Sequence, residues 1–287
     1  MESKVLASRI CAFEISLPSS CSIDAFPAVQ ERVPSHRAYG KASIEQLLGS
    51  EISKAQIREA NTFDSMVFLQ RNGRFEKHSL PIEAQWAPSF GINVADFDGD
   101  GHEDLFLAQN FFGTDPESSR CDGGAGVLLL GDGKGDFKAM SSRDSGILIL
   151  GEQRGSAVGD FDGDGRPDLA VAQNRGPTQL LHNSMAKPGV RVHLSGGPNN
   201  LEGIGAHLRM KYATGFGASR EVQAGSGYWS QNSTSLTFPK LTGPLALEVR
   251  WPHGKVETWD WPPGAQQVDV SASGLREQRS KAANSTF

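Results

Sequence analysis

Two copies of an acidic nonapeptide 64 residues apart, hairpin signals alternating with them, and period-2 apolar patterning after residue 187 predict an all-β chain. The expected architecture is a partial β-propeller of about two four-stranded blades, followed by a small antiparallel β-sandwich or barrel of about six strands. Glycine supplies 33 of the 287 residues and proline 15, which favours a turn-rich β protein over a helical one.

Residues 1–60 carry the weakest pattern. Lys4 and Arg9 flank an apolar stretch that Glu14 interrupts, a poor match to a signal peptide. Residues 18–40, rich in Pro, Ser and small side chains, read as loop. Ile44, Leu47, Leu48, Ile52 and Ile57 give 42–60 the spacing of one surface helix. Cys11 and Cys21 are close enough in sequence to pair across a short loop, which leaves Cys121 odd. None of the three has CxxC spacing, and all read as buried or incidental thiols.

The repeat region spans 61–186. Residues 65–77 read as strand, Asn72-Gly73 turn, strand. Residues 127–139 repeat that design around Asp132-Gly133, and Gln179-Leu-Leu-His-Asn begins it a third time and stops. Between these hairpins lie Asp96-Phe-Asp-Gly-Asp-Gly-His-Glu-Asp104 and Asp160-Phe-Asp-Gly-Asp-Gly-Arg-Pro-Asp168. Each is flanked by short apolar runs, so each should join two strands of a hairpin, and two hairpins make one blade. Residues 111–126 read as a long surface insert between hairpins.

Each nonapeptide crowds four carboxylates onto one turn. Two unit charges about 5 Å apart repel by roughly 3 kcal/mol at an effective dielectric of 20, so such a loop calls for a cation. Hard oxygen donors at alternate positions suit Ca²⁺ better than Zn²⁺. The expected side-chain ligands are Asp96, Asp98, Asp100 and Asp104 in one loop, and Asp160, Asp162, Asp164 and Asp168 in the other. The main-chain carbonyls of His102 and Arg166 would add one oxygen each, giving two Ca²⁺ sites. An EF-hand is excluded, because its twelfth position needs a bidentate Glu and here holds Leu107 or Val171. Metal-free Asp-Gly turns are the alternative reading.

These loops, each followed by Gln-Asn (Gln109-Asn110, Gln173-Asn174), resemble FG-GAP/VCBS propeller repeats over about 61–186. The likeness rests on the Asp loop. Phe90-Gly91 precedes the first copy without a following Gly-Ala-Pro, and Arg154-Gly155 precedes the second. The resemblance implies Ca²⁺ at the blade loops. Two blades do not close a ring, so a fragment of a longer propeller protein is the favoured reading, with a non-closing stack of blades or closure between chains of an oligomer as the others.

From 187 to 270 the pattern alternates: Val190, Val192, Leu194; Leu208, Met210, Tyr212; Leu245, Leu247, Val249, Trp251. Asn199-Asn200-Leu-Glu-Gly-Ile-Gly-Ala206, the glycine-rich run from Arg220 to Asn232, and Val249-Arg-Trp-Pro-His-Gly254 together resemble the ASPIC/UnbV domain that follows FG-GAP repeats in cartilage acidic protein and bacterial secreted proteins. The resemblance implies an extracellular or periplasmic, non-enzymatic module. Ser230, Gln231 and Asn232 offer hydrogen bonds to a ligand, or else a structural turn. Trp259 and Trp261 share a strand face and are expected to be exposed, where they could stack on sugar rings; Trp251 falls in the core stripe. Residues 271–287 read as a polar, disordered tail. Asn232-Ser-Thr and Asn284-Ser-Thr are glycosylation sequons in a secreting eukaryote.

The net charge is −5, and eight aspartates sit in the two loops, so the acidity is local. No basic patch points to nucleic acid, and no apolar run approaches a membrane span. GxSxG, HExxH and phosphate-loop motifs are absent from the sequence, and the seven histidines are scattered. The expected function is therefore a non-enzymatic, calcium-binding extracellular adhesion or interaction protein with a protein or glycan partner. A carbohydrate-binding module or glycan-active protein is the alternative.

Overall fold

The computed structural model describes residues 28–54, 62–114, 119–271 and 273–278. Cys11, Cys21, the sequon at Asn284 and residues 279–287 of the expected C-terminal tail lie outside the described residues, whereas the start of that tail is not disordered: Gly274–Glu277 is a strand paired with Gln267–Ser271. Two compact units are present. The first contains helical turns α1 (Ala28–Arg32), α2 (His36–Tyr39) and α3 (Ile44–Leu48), followed by a 3₁₀ turn at Gly49–Lys54. The expected loop over 18–40 is thus partly helical, and the single helix expected over 42–60 is interrupted. Gly49 explains the interruption: its φ of 56° leaves the helical region while its N–H caps the Glu45 carbonyl. Ser43 and Gln46 form a reciprocal capping box at the start of α3. Val29, Tyr39, Ala42 and Leu47 make this unit's small core.

The second unit is built from small, mostly antiparallel sheets in a propeller-like arrangement. Strands β1 (Met66–Arg71) and β2 (Arg74–Ser79) form a separate hairpin. Its turn residues Asn72 and Gly73 both have positive φ, 51° and 76°, as the tight primed turn requires. The first blade follows: β3 (Ser89–Ala95), β4 (Asp104–Gln109), β5 (Val127–Gly131) and β6 (Phe137–Ala139), paired in that order. The second blade has three strands, β7 (Glu152–Gly159), β8 (Asp168–Asn174) and β9 (Gly176–Leu181). Its hairpin design ends at Leu181, where the sequence pattern stops.

Strand β3 packs beside β7. Phe97, Phe106, Ala108, Leu128, Ile147, Leu169 and Val171 fill one core shared by the two blades. Phe106 and Val171 are fully buried. The two acidic loops occupy equivalent registers: Ala95 faces Asp104 across the first hairpin, and Gly159 faces Asp168 across the second.

The C-terminal region has nine strands among the described residues, more than the six expected. Strands β10 (Val190–Ser195), β14 (Leu236–Phe238), β17 (Gln267–Ser271) and β18 (Gly274–Glu277) form one sheet. Strands β11 (His207–Tyr212), β12 (Gly215–Phe216), β13 (Arg220–Glu221), β15 (Ala246–Arg250) and β16 (Val256–Asp260) form the other. The region is not purely antiparallel, because β10 pairs with β17 in parallel. The two sheets share one core, in which Val190, Val192, Leu194, Leu208, Met210, Leu247 and Val249 are fully buried. Leu245 departs from the expected stripe. It precedes β15 and is exposed, while the adjacent Ala246 and Leu247 both turn inward.

Candidate metal centre

The acidic loops are shaped by bonds from their own carboxylates to their own backbone. Asp96 accepts from Gly99 N at 2.7 Å, Asp100 N at 3.1 Å and Gly101 N at 2.9 Å. Asp104 accepts from Phe97 N at 2.7 Å and reaches across to Gly131 N at 2.9 Å. The second loop repeats this. Asp160 accepts from Gly163 N and Gly165 N, both at 2.8 Å, and Asp168 from Phe161 N at 3.0 Å and Asn183 N at 2.7 Å. Glycine is required at positions 4 and 6, where φ is 78° and 96° in the first loop and 83° and 86° in the second.

Each loop gathers three carboxylates. Oxygens of Asp96, Asp98 and Asp104 lie within 4.8 Å of one another, as do those of Asp160, Asp162 and Asp168. Asp100 stands outside its trio, with one oxygen accepting from His102 N at 2.8 Å. Asp164 groups instead with Asp162 and His182. His102 is exposed, its ring above Gly133, and Arg166 turns its side chain back onto Asp164.

The donor chemistry of the first loop fits a hard dication. Asp96 and Asp104 are 4% and 1% exposed, and burial raises them to about 6 and about 7; burial also raises Asp98. Carboxylates buried and crowded in this way carry a desolvation cost that an ion between them would offset. Arg220 opposes the effect at Asp96, but its Nε is paired with Glu103 at 2.9 Å. In the second loop burial raises Asp168. There Arg191 Nε lies 3.3 Å from Asp160, Arg166 pairs with Asp164, and His182 Nε2 lies 3.4 Å from Asp162 and 3.5 Å from Asp164. The second-position phenylalanines also differ: Phe97 is buried between the blades, whereas Phe161 is 54% exposed and meets His182 edge-on.

The glycine-rich loop connects the C-terminal region to the blades. Asn232 Oδ1 accepts from Asn93 Nδ2 of the first blade and from Val158 N of the second, each at 2.9 Å. Ser233 N donates to Val158 O at 2.8 Å. Ser230 packs against Gly155, and its Oγ is buried without a hydrogen-bond partner among the described residues. Gln231 is exposed, and its Oε1 accepts from Gly225 N at 3.2 Å. Asn232 is therefore a joint between modules, with its side chain engaged in place of presenting a free sequon.

The expected exposure of Trp259 and Trp261 is corrected by the structure. Trp261 is buried, its Nε1 donating to Ala265 O at 3.3 Å, and Trp259 is half-buried against the same core. The two-sheet packing covers a face that the strand pattern alone left open. The most exposed tryptophan among the described residues is Trp229, 93% exposed at a φ of 49°. Its ring stacks on Tyr228 at 5.6 Å with an interplanar angle of 12°, and Tyr228 rests edge-on against Phe90. Arg191 and Trp229 carried no signal in the sequence, since an alternating strand and a glycine-rich loop leave the fate of such side chains to tertiary packing. Among the described residues, no helix is long and apolar enough to cross a membrane.

Antiparallel blades closed by acidic hairpin loops, joined to a separate two-sheet region, give this chain a propeller-like architecture. Residues 154–180 match the FG-GAP repeat, and residues 196–277 match the family described as ASPIC and UnbV. The chain thus carries an FG-GAP repeat and an ASPIC/UnbV domain. The repeat match covers the second acidic loop; the first is its counterpart by residues, register and backbone bonding. A comparison with curated proteins finds no match.

Proposed function

We propose that this chain is a non-enzymatic, calcium-stabilised interaction protein of the extracellular or periplasmic space. The observation that carries the reading is the convergence of Asp96, Asp98 and Asp104 around one point, two of them buried and raised by that burial. The ion's role is structural. It neutralises a loop that ends one hairpin and whose Phe97 is packed between blades. Ca²⁺ at about 100 times its dissociation constant would add about 2.7 kcal/mol per site. Calcium should therefore raise the melting temperature of chelator-stripped protein, and Asp98→Ala should reduce the gain. A melting temperature unmoved by millimolar calcium would defeat the proposal.

A second reading, glycan binding, is favoured by one observation: the Tyr228–Trp229 stack presented to solvent. An exposed aromatic face suits the apolar face of a sugar ring. Trp229→Ala should abolish retention on any glycan surface that holds the intact chain while leaving stability within about 0.5 kcal/mol. Undiminished retention by that variant would retire this reading.

A further inference from the structure

The two acidic loops share their residues at positions 1 to 6 and 9, yet their surroundings carry different charge. Around the second loop the protein supplies two guanidinium groups and an imidazole. Arg191 reaches from β10 to lie 3.3 Å from Asp160, and a Cβ on Gly163 would meet its guanidinium at 3.2 Å. Arg166, held by a 2.6 Å bond to the Ala186 carbonyl, pairs with Asp164. His182 faces both Asp162 and Asp164.

Among the described residues the first loop has no such set. Its position 7 is His102, which is exposed over Gly133, and its position 8 adds a further carboxylate, Glu103. Glu103 engages Arg220, the arginine that lowers Asp96. Gly131 N and Asn183 N make the same bond to the last aspartate of their respective loops, so the residues before them correspond. The first blade has Leu130 where the second has His182.

We infer that the loops are unequal: the first, Asp96–Asp104, is the calcium site, whereas the second, Asp160–Asp168, is held closed by Arg191, Arg166 and His182 and takes calcium weakly. The inference rests on the calcium reading of the first loop and narrows two sites to one. Guanidinium groups already within salt-bridge distance compete for the same oxygens and repel an arriving dication. The affinity gap should be on the order of 100-fold.

The test is calorimetric titration of the chelator-stripped full chain with calcium chloride. One strong site is expected, lost in Asp98→Asn and kept in Asp162→Asn. The combined variant Arg166→Gln, Arg191→Gln, His182→Leu should acquire a second site of comparable strength. If that variant fails to fold, terbium luminescence of the intact chain supplies the count, with one bound ion expected below saturation of the weak loop. Two sites of equal strength in the intact chain overturn the inference and leave the calcium reading standing. A single site removed by Asp162→Asn but not by Asp98→Asn also overturns it. No binding at all removes the calcium reading, and the inference with it.

Discussion

Truncating Asn232 to alanine tests the joint between the blades and the C-terminal region. The substitution deletes one acceptor oxygen and leaves two donors, Asn93 Nδ2 and Val158 N, without the partner each meets at 2.9 Å. Asn93 is 1% exposed; its Oδ1 still accepts from Ser156 Oγ, but its Nδ2 keeps only a longer bond, 3.3 Å, to the Ser156 carbonyl. A buried donor deprived of its acceptor costs about 1–3 kcal/mol, so losing both should remove about 3 kcal/mol. For a domain of this size that corresponds to a fall in melting temperature of roughly 6–12 °C. Asn232→Asp retains the accepting oxygen and should lose less. The assay is equilibrium urea unfolding at fixed calcium, followed by tryptophan fluorescence, with thermal unfolding beside it. An Asn232→Ala chain within about 0.5 kcal/mol of wild type would refute the claim that these two bonds hold the modules together.

The raised carboxylates fix the sign of a pH effect. In calcium-free buffer Asp96 and Asp104 bind protons more readily folded than unfolded, since burial lifts them to about 6 and about 7 from 3.8. Their contribution to stability is full below about pH 4 and is lost as pH rises towards 7. Asp104→Asn should flatten this slope, and a calcium-free melting temperature that rises between pH 5 and 7.5 with the same slope in the variant would contradict it. Calcium needs the charged forms, so its stabilisation should grow over the same range. In the blade core, Phe106→Ala should cost about 3–5 kcal/mol in urea unfolding, because Phe106 is fully buried between the blades. A loss under about 1 kcal/mol would show that this cluster does not hold them.

The parts of the fold that were readable in the sequence are those whose determinants are local. The acidic loops close through bonds spanning two to seven residues, as from Gly99 N to Asp96, so Asp and Gly at fixed offsets announce them. The β1–β2 turn is written in Asn72-Gly73. The capping box at Ser43 and Gln46 is equally local and would have marked α3. The joint was not readable, because Asn232 meets Asn93 across 139 residues and Val158 across 74. Arg191 reads as one polar position in an alternating strand, and only the packing of β10 beside the second loop makes it a counter-ion to Asp160. Trp259 and Trp261 illustrate the same limit: a strand pattern shows that two rings share a face and says nothing of what lies over it.

The parallel pairing of β10 with β17 brings together Arg191 and Gln267, residues at opposite ends of the C-terminal region. During synthesis, β10 leaves the ribosome long before its neighbour exists and has only β14 to pair with in the interval. Completion of this sheet is therefore among the last events of assembly, as expected for contacts so distant along the chain. A message cut short before codon 267 would yield a product whose first strand keeps an unsealed backbone edge, a ready target for aggregation or proteolytic clearance.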